Sequence, residues 1–179
     1  MHASSDLVIA KDTSVSTGFD FEAVFADHYA PIIRLITRII RDPACAEELA
    51  VDSFWRLWNT PNAHGDLSAG WLRRTAVRLA IDELRRRARR ERYDRLLMFG
   101  RAPRRPDELF LEGDQQGRVR RVLAAMPQRQ AELLLLRSDD TPYDELAATL
   151  SINAGSVGTL LARAKQTFRK EYVKRYGDQ

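Results

Sequence analysis

The sequence predicts an all-α protein: two small helical domains joined by a flexible linker, the C-terminal one a helix-turn-helix. Three observations predict it. Apolar residues recur at helical spacing in nearly every window after residue 18. No stretch alternates apolar and polar residues long enough to make a strand. Pro103, Pro106, Gly100, Gly113 and Gly117 interrupt the period between two helical blocks. The expected layout is a disordered, Ser/Thr-rich leader over 1–18, a helical domain over 19–92, a linker over 93–117 and a second helical domain over 118–179.

The first helix is expected from about Asp20 to Arg41, carried by Phe21, Val24, Phe25, Ile32, Leu35, Ile36, Ile39 and Ile40, with Pro31 expected to kink or split it. Asp42-Pro43 restarts the chain as cap and first helical residue, and the second helix runs to about Trp58. Turn residues at Thr60-Pro61-Asn62 and His64-Gly65-Asp66 mark a loop before a long third helix, Ser68 to Arg92. One short helix is expected near Leu109 in the linker. The second block reads as helices over Arg118–Ala125, Gln128–Ser138, Pro142–Leu150 and Ala154–Tyr172, with Thr141 capping the third of these.

Composition narrows the function. The 179 residues carry 44% apolar and 30% charged side chains, a globular balance. The densest apolar stretch, Ile32 to Ile40, is broken by Arg34 and Arg38, and Leu7–Ala10 is too short for a signal-peptide core. One cysteine, Cys45, and three scattered histidines offer neither a disulfide nor a metal site, and no cofactor is expected. No glycine-rich phosphate loop or nucleophile–base pair stands out, so a non-enzymatic, cytoplasmic protein is expected.

The net charge of +4 is unevenly placed. Residues 20–58 carry four arginines against seven acids, whereas residues 71–95 carry ten arginines against four acids, and residues from 154 onward six basic residues against two acids. Two basic segments point to a polyanion, with a merely solvated basic face as the alternative. On the third helix Trp71, Arg74, Arg78, Asp82, Arg85 and Arg89 share one face, a spacing that can track a phosphate backbone. Trp71 by itself reads better as a core residue. On the second helix Glu48, Asp52, Trp55 and Arg56 lie opposite Ala50, Phe54 and Leu57, a face suited to a protein partner or simply to solvent.

Residues 143–162 have helix-turn-helix spacing: Ala147 where two helices approach closely, Ile152 in the turn, Val157 and Leu160 returning to the core. Thr159, Arg163, Gln166 and Lys170 fall on the outer face of the second helix, able to donate to base edges or phosphates. A helical hairpin with a polar face is the rival. Ser151 occupies a turn position that favours glycine, and Gly158 lies inside the recognition helix, where it would let the backbone come close to DNA.

In order and spacing these parts resemble a bacterial RNA polymerase sigma factor of the extracytoplasmic-function type, over about Phe21–Arg92 and Val122–Tyr172. Ala46–Trp58 is similar to that family's polymerase-binding helix. The resemblance implies that Glu48, Asp52, Trp55 and Arg56 dock on core RNA polymerase. Trp71–Ala76 with Leu79–Arg87 looks like the segment that melts and reads the −10 element. Asn62, His64, Trp71, Arg74, Arg78, Arg85, Arg86 and Arg89 would then contact −10 DNA, and the loop from Thr60 to Ala69 would hold a flipped base. Met126–Gln130 and Tyr143–Arg163 resemble the −35 reader, which implies Ser156, Thr159, Arg163, Gln166 and Lys170 as its contacts.

Val51 stands where the family usually has glutamine, Arg78 where it usually has asparagine, and Gly158-Thr159-Leu160 replaces a more basic run. The implied partners are core RNA polymerase, promoter DNA and an anti-sigma factor. The rivals are a helix-turn-helix repressor or activator that is not a polymerase subunit, and an RNA-binding adaptor.

Overall fold

The computed structural model describes residues 19–97 and 115–177, so the leader and the expected helix near Leu109 lie outside the described residues. Those residues form seven α-helices and no strand: α1 (Phe21–Ile40), α2 (Pro43–Trp58), α3 (Ser68–Leu97), α4 (Gln115–Ala125), α5 (Gln128–Ser138), α6 (Tyr143–Leu150) and α7 (Val157–Tyr176). Single 3₁₀ turns at Pro61–Ala63 and Ala154–Ser156 lead into α3 and α7.

Local chemistry sets the helix starts. Asp20 accepts from the Ala23 amide at 2.9 Å and Asp42 from the Cys45 amide at 3.1 Å, each satisfying a first-turn donor that has no partner within the helix. Pro31 neither splits nor ends α1, which is continuous from Phe21 to Ile40. The proline removes one main-chain bond, but Ile32, Leu35, Ile36, Ile39 and Ile40 bury their side chains just beyond it, and that apolar face holds the helix together. Arg41 closes α1 in the left-handed region (φ 58°), donating its amide to the Thr37 carbonyl at 2.8 Å.

Helices α1, α2 and α3 pack as a three-helix unit around Ile36, Ile40, Ala46, Ala50, Phe54, Leu57, Leu72, Ala76, Val77 and Ile81. Helix α3 runs to Leu97, into the stretch expected as linker. Its middle is fastened to α2 by a buried carboxylate: Glu83 accepts from Arg86 at 2.6 Å and from Arg87 at 2.7 Å, and Arg87 also reaches the capping Asp42 at 2.8 Å. Burial raises the Glu83 carboxyl, but the bonds from Arg86 and Arg87 outweigh it and hold the group below its ordinary 4.5. A depressed carboxylate contributes stability that is present above its unfolded pKa and lost as pH falls through the lower folded value. Glu83→Gln is therefore expected to cost about 2 kcal/mol at neutral pH. In thermal melts that deficit shrinks as the pH is taken below 4.5; a deficit independent of pH would count against the ion pair.

The C-terminal helices close over Val122, Leu133, Leu136, Leu146, Leu150, Val157 and Leu161. The expected cap at Thr141 is absent. Helix α6 starts at Tyr143 without a side-chain cap, because the buried Thr141 hydroxyl accepts from Arg73 of α3 at 2.6 Å instead. One buried core runs through both blocks, since α3 packs directly against α4, α5 and α6. The sequence reading of two joined domains did not anticipate that contact.

Candidate functional site

Three surfaces carry the residues singled out in the sequence. The first is on α2. Its inner positions Ala50, Phe54 and Leu57 are buried, which turns Glu48, Asp52, Trp55 and Arg56 outward together. Arg56 makes two bonds to Asp52, both 3.1 Å, and Trp55 is 65% exposed with Val51 and Trp58 beside it. A tryptophan left in water next to a fixed carboxylate and an exposed Glu48 has the makeup of an interface centre.

The second is the loop before α3 and the arginine row along it. Asn62 is exposed, whereas His64 is drawn inward: its Nε2 lies 2.9 Å from the Leu57 carbonyl and its ring stacks on Phe19 at 4.0 Å. In that position His64 shapes the loop and its ring is occupied. Trp71 is half-buried against the core, in keeping with the plainer of its two readings.

The arginines of α3 divide. Arg86 and Arg89 are exposed, Arg86 donating to Glu83. Arg74, Arg78 and Arg85 meet the C-terminal helices, Arg78 while remaining exposed itself. Arg78 donates its Nε to Glu132 of α5 at 2.7 Å, and Arg74 lies 3.5 Å from the other oxygen of the same carboxylate, near enough to be an ion pair but not aligned as a hydrogen bond. Arg85 donates to the Ala124 and Met126 carbonyls at 3.2 and 3.0 Å and to the Gln128 side chain, capping the C-terminus of α4 from another helix. Burial, with the neighbouring Arg78 charge, pulls the Arg74 pKa below its ordinary value, and Glu132 offsets this only in part.

Sequence reasoning missed two residues here. Glu132 is fully buried, an acid set between Ala131 and Leu133 on an apolar face. Its signal was that placement, but Arg129 one turn back offered an equally good partner on paper. Arg73 lies off the face grouped in the sequence, yet it bonds Asp139 at 2.9 Å, Thr141 and Glu145.

The third surface is the helix-turn-helix formed by α6, the turn and α7. Ser151 adopts the left-handed conformation expected of its turn position (φ 52°), and Asn153 accepts from the Gly155 amide at 2.8 Å to start the turn into α7. Val157, Leu161 and Ala164 are buried, leaving Ser156, Thr159, Arg163, Gln166 and Lys170 all exposed on the other side of the helix. A groove of about 180 Å³ runs beside them, lined by Leu133, Leu150, Ile152 and Leu160 and flanked by Arg129 and Arg163.

A methyl group at Gly158 would meet nothing closer than the Tyr143 ring edge at 4.0 Å, so space does not require glycine there. Gly158→Ala is expected to raise stability by about 1 kcal/mol from helix propensity. If the missing side chain serves close approach of DNA, the same change weakens binding to a cognate −35 duplex. Unchanged duplex affinity alongside a higher Tm would remove that role.

Among the described residues no cluster of His, Cys, Asp or Glu could hold a metal ion, and no helix is long and apolar enough to cross a membrane.

Residues 24–90 match the family description Sigma-70 region 2, and residues 116–168 match Sigma-70, region 4. The chain is 29% identical over 160 residues to the ECF RNA polymerase sigma factor SigK of Mycolicibacterium vanbaalenii, covering 84% of this chain and 80% of that protein. It is 25% identical over 162 residues to the ECF RNA polymerase sigma factor SigE of Mycolicibacterium smegmatis, covering 86% of this chain and 62% of that longer protein. Among solved structures, the sigma factor RpoE in complex with the anti-sigma factor NepR from Bartonella quintana aligns with a TM-score of 0.48 and 15% identity, over 85% of this chain and 96% of that one.

Proposed function

This chain belongs to the extracytoplasmic-function RNA polymerase sigma factors, and we propose that it binds core RNA polymerase in the cytoplasm and directs it to promoters through the three surfaces described above. The α2 face docks on polymerase through Glu48, Asp52, Trp55 and Arg56. Asn62, on the loop that His64 shapes, engages the −10 element with Trp71 and the arginines of α3. Ser156, Thr159, Arg163, Gln166 and Lys170 of α7 enter the −35 major groove, the geometry in which a helix-turn-helix presents its second helix. An anti-sigma factor that competes for these faces completes the proposal.

The observation that supports this reading most is the separation of charge by face. An exposed tryptophan with two acids on α2 suits a protein partner, while guanidinium groups on α3 and α7 suit phosphates. A regulator that acts without polymerase has no use for the first.

The test is reconstitution. Purified protein is mixed with bacterial core RNA polymerase and a library of genomic fragments, and transcript starts are sequenced. Co-elution with core, and starts preceded by a shared pair of elements, are expected. A dimer that binds a palindromic duplex and ignores core polymerase would favour the helix-turn-helix regulator.

A further inference from the structure

The loop between α2 and α3 is seated by two side chains. Along residues 61–67 only Ala63 is buried and only His64 is half-buried, while Pro61, Asn62, Gly65, Asp66 and Leu67 are exposed. A buried methyl group supplies little area, so the place of the loop depends on what holds the His64 ring. We infer that Phe19 is a positioning residue for −10 recognition: its ring, stacked on His64, fixes the loop that presents Asn62 to an unstacked −10 base. This deepens the sigma-factor reading and rests on it, and Phe19 lies ahead of the segment that matches Sigma-70 region 2, which starts at residue 24.

Two groups hold the His64 ring, and they belong to different elements. Its Nε2 lies 2.9 Å from the Leu57 carbonyl, near the end of α2. One ring face meets Phe19, with centroids 4.0 Å apart and planes 6° from parallel. The carbonyl contact alone leaves the ring free to turn about it, whereas a parallel ring at contact distance fixes the ring plane. Gly65 follows with φ 98° and open space where a Cβ would be, and no buried side chain comes before Ser68. The His64 clamp is therefore the main hold on the exposed part of the loop.

Phe19 serves as a fixed wall because the start of α1 fixes it in turn. Asp20 caps the helix on the Ala23 amide at 2.9 Å. Phe21 packs edge-on against Trp58 at 5.0 Å and Phe54 at 6.2 Å, and against Phe19 at 6.5 Å. Phe54 is buried, so this aromatic group ties the chain entering α1 to the core of the first three helices. Without the Phe19 ring His64 keeps one contact of two, and the loop spreads over more conformations. The cost of ordering it then falls on DNA binding, which weakens capture of the base. Glu48, Asp52 and Trp55 take no part in the Phe19–His64 contact, so docking on polymerase is spared.

The test uses holoenzyme reconstituted from core RNA polymerase and the full chain, titrated onto the strongest promoter fragment from the transcript-start mapping, pre-opened at the −10 element. A fluorescent base analogue replaces each non-template −10 base in turn, and a rise in its emission marks the base that leaves the stack. Phe19→Ala is expected to raise the holoenzyme concentration needed for half of that rise at least about fivefold. His64→Ala should do the same, and the double variant should be no worse than either single change, because both break one contact. Phe19→Tyr keeps the stacked ring and restores wild-type capture. Phe25→Ala is the control: its ring packs on Phe54 at 4.8 Å and Tyr29 at 4.6 Å, so its loss costs stability but not capture. Undiminished capture in Phe19→Ala overturns the inference, as does an equal loss in Phe25→Ala, or losses that multiply in the double variant. A wild-type holoenzyme that brightens no −10 position instead overturns the −10 reading of the loop itself.

Discussion

The double substitution Glu48→Lys with Asp52→Lys is expected to abolish binding to core RNA polymerase, with affinity falling at least about 100-fold, or some 2.7 kcal/mol. Both side chains stand outside the core, so the substitutions leave the packing of Ala50, Phe54 and Leu57 intact. Two acids become two bases, and the lysine introduced by Asp52→Lys sits against Arg56, which today makes both of its bonds to Asp52. Like charges facing a basic or hydrogen-bond-donating partner surface cost several kcal/mol, whereas the like-charge pair on an exposed helix costs only about half a kcal/mol. Binding and stability therefore separate. A native-like melt with lost co-elution is the expected result, and retained binding in the double variant would move the polymerase surface elsewhere. Trp55→Ala should weaken the complex without the charge reversal, because its ring is 65% exposed in the free chain and on the proposed docking would be buried by the partner.

Much of this was legible from sequence because it depends on local spacing. Apolar residues at helical period fixed which side of α2 is buried, and so which residues face out together. Asp42-Pro43 announced a helix start that the Cys45 amide bond bears out. Ser151 was readable as a left-handed position from the turn alone. Thr141 was not, since its hydroxyl is claimed by Arg73, sixty-eight positions earlier in the chain. Pro31 misled for a related reason: propensity predicts a break, but the apolar surface of α1 beyond it is buried against two other helices.

The same distinction explains the arginine row. Periodicity places Arg74, Arg78 and Arg85 on one face and says that they can bind anions. It cannot say that the anion is Glu132, because charge complementarity between segments more than fifty residues apart leaves no local pattern. The structure adds that Arg74 and Arg78 of this row meet Glu132 within the chain.

Removing the arginines rather than the acid should produce the second large effect. Arg74→Met with Arg78→Met leaves the Glu132 carboxyl fully buried and without either guanidinium. An uncompensated buried charge costs about 3–5 kcal/mol, while a matched apolar replacement of the whole group is close to neutral. The double variant can relieve this by opening the blocks and returning Glu132 to water, so its loss in urea unfolding is capped by the free energy of closure. Either way it should be destabilised, by up to about 3 kcal/mol, and expanded in scattering. Adding Glu132→Leu removes the stranded charge and is expected to restore both stability and compactness. Transcription behaves differently. On the proposed role of Arg74 and Arg78 at −10 phosphates, the triple variant still lacks two of the contacting cations, so open-complex formation with core polymerase should remain at least tenfold below wild type, with the loss growing at higher salt. Recovery of stability without recovery of transcription assigns Arg74 and Arg78 two roles, one in each state of the chain. Recovery of both would mean that the pair serves only to hold Glu132.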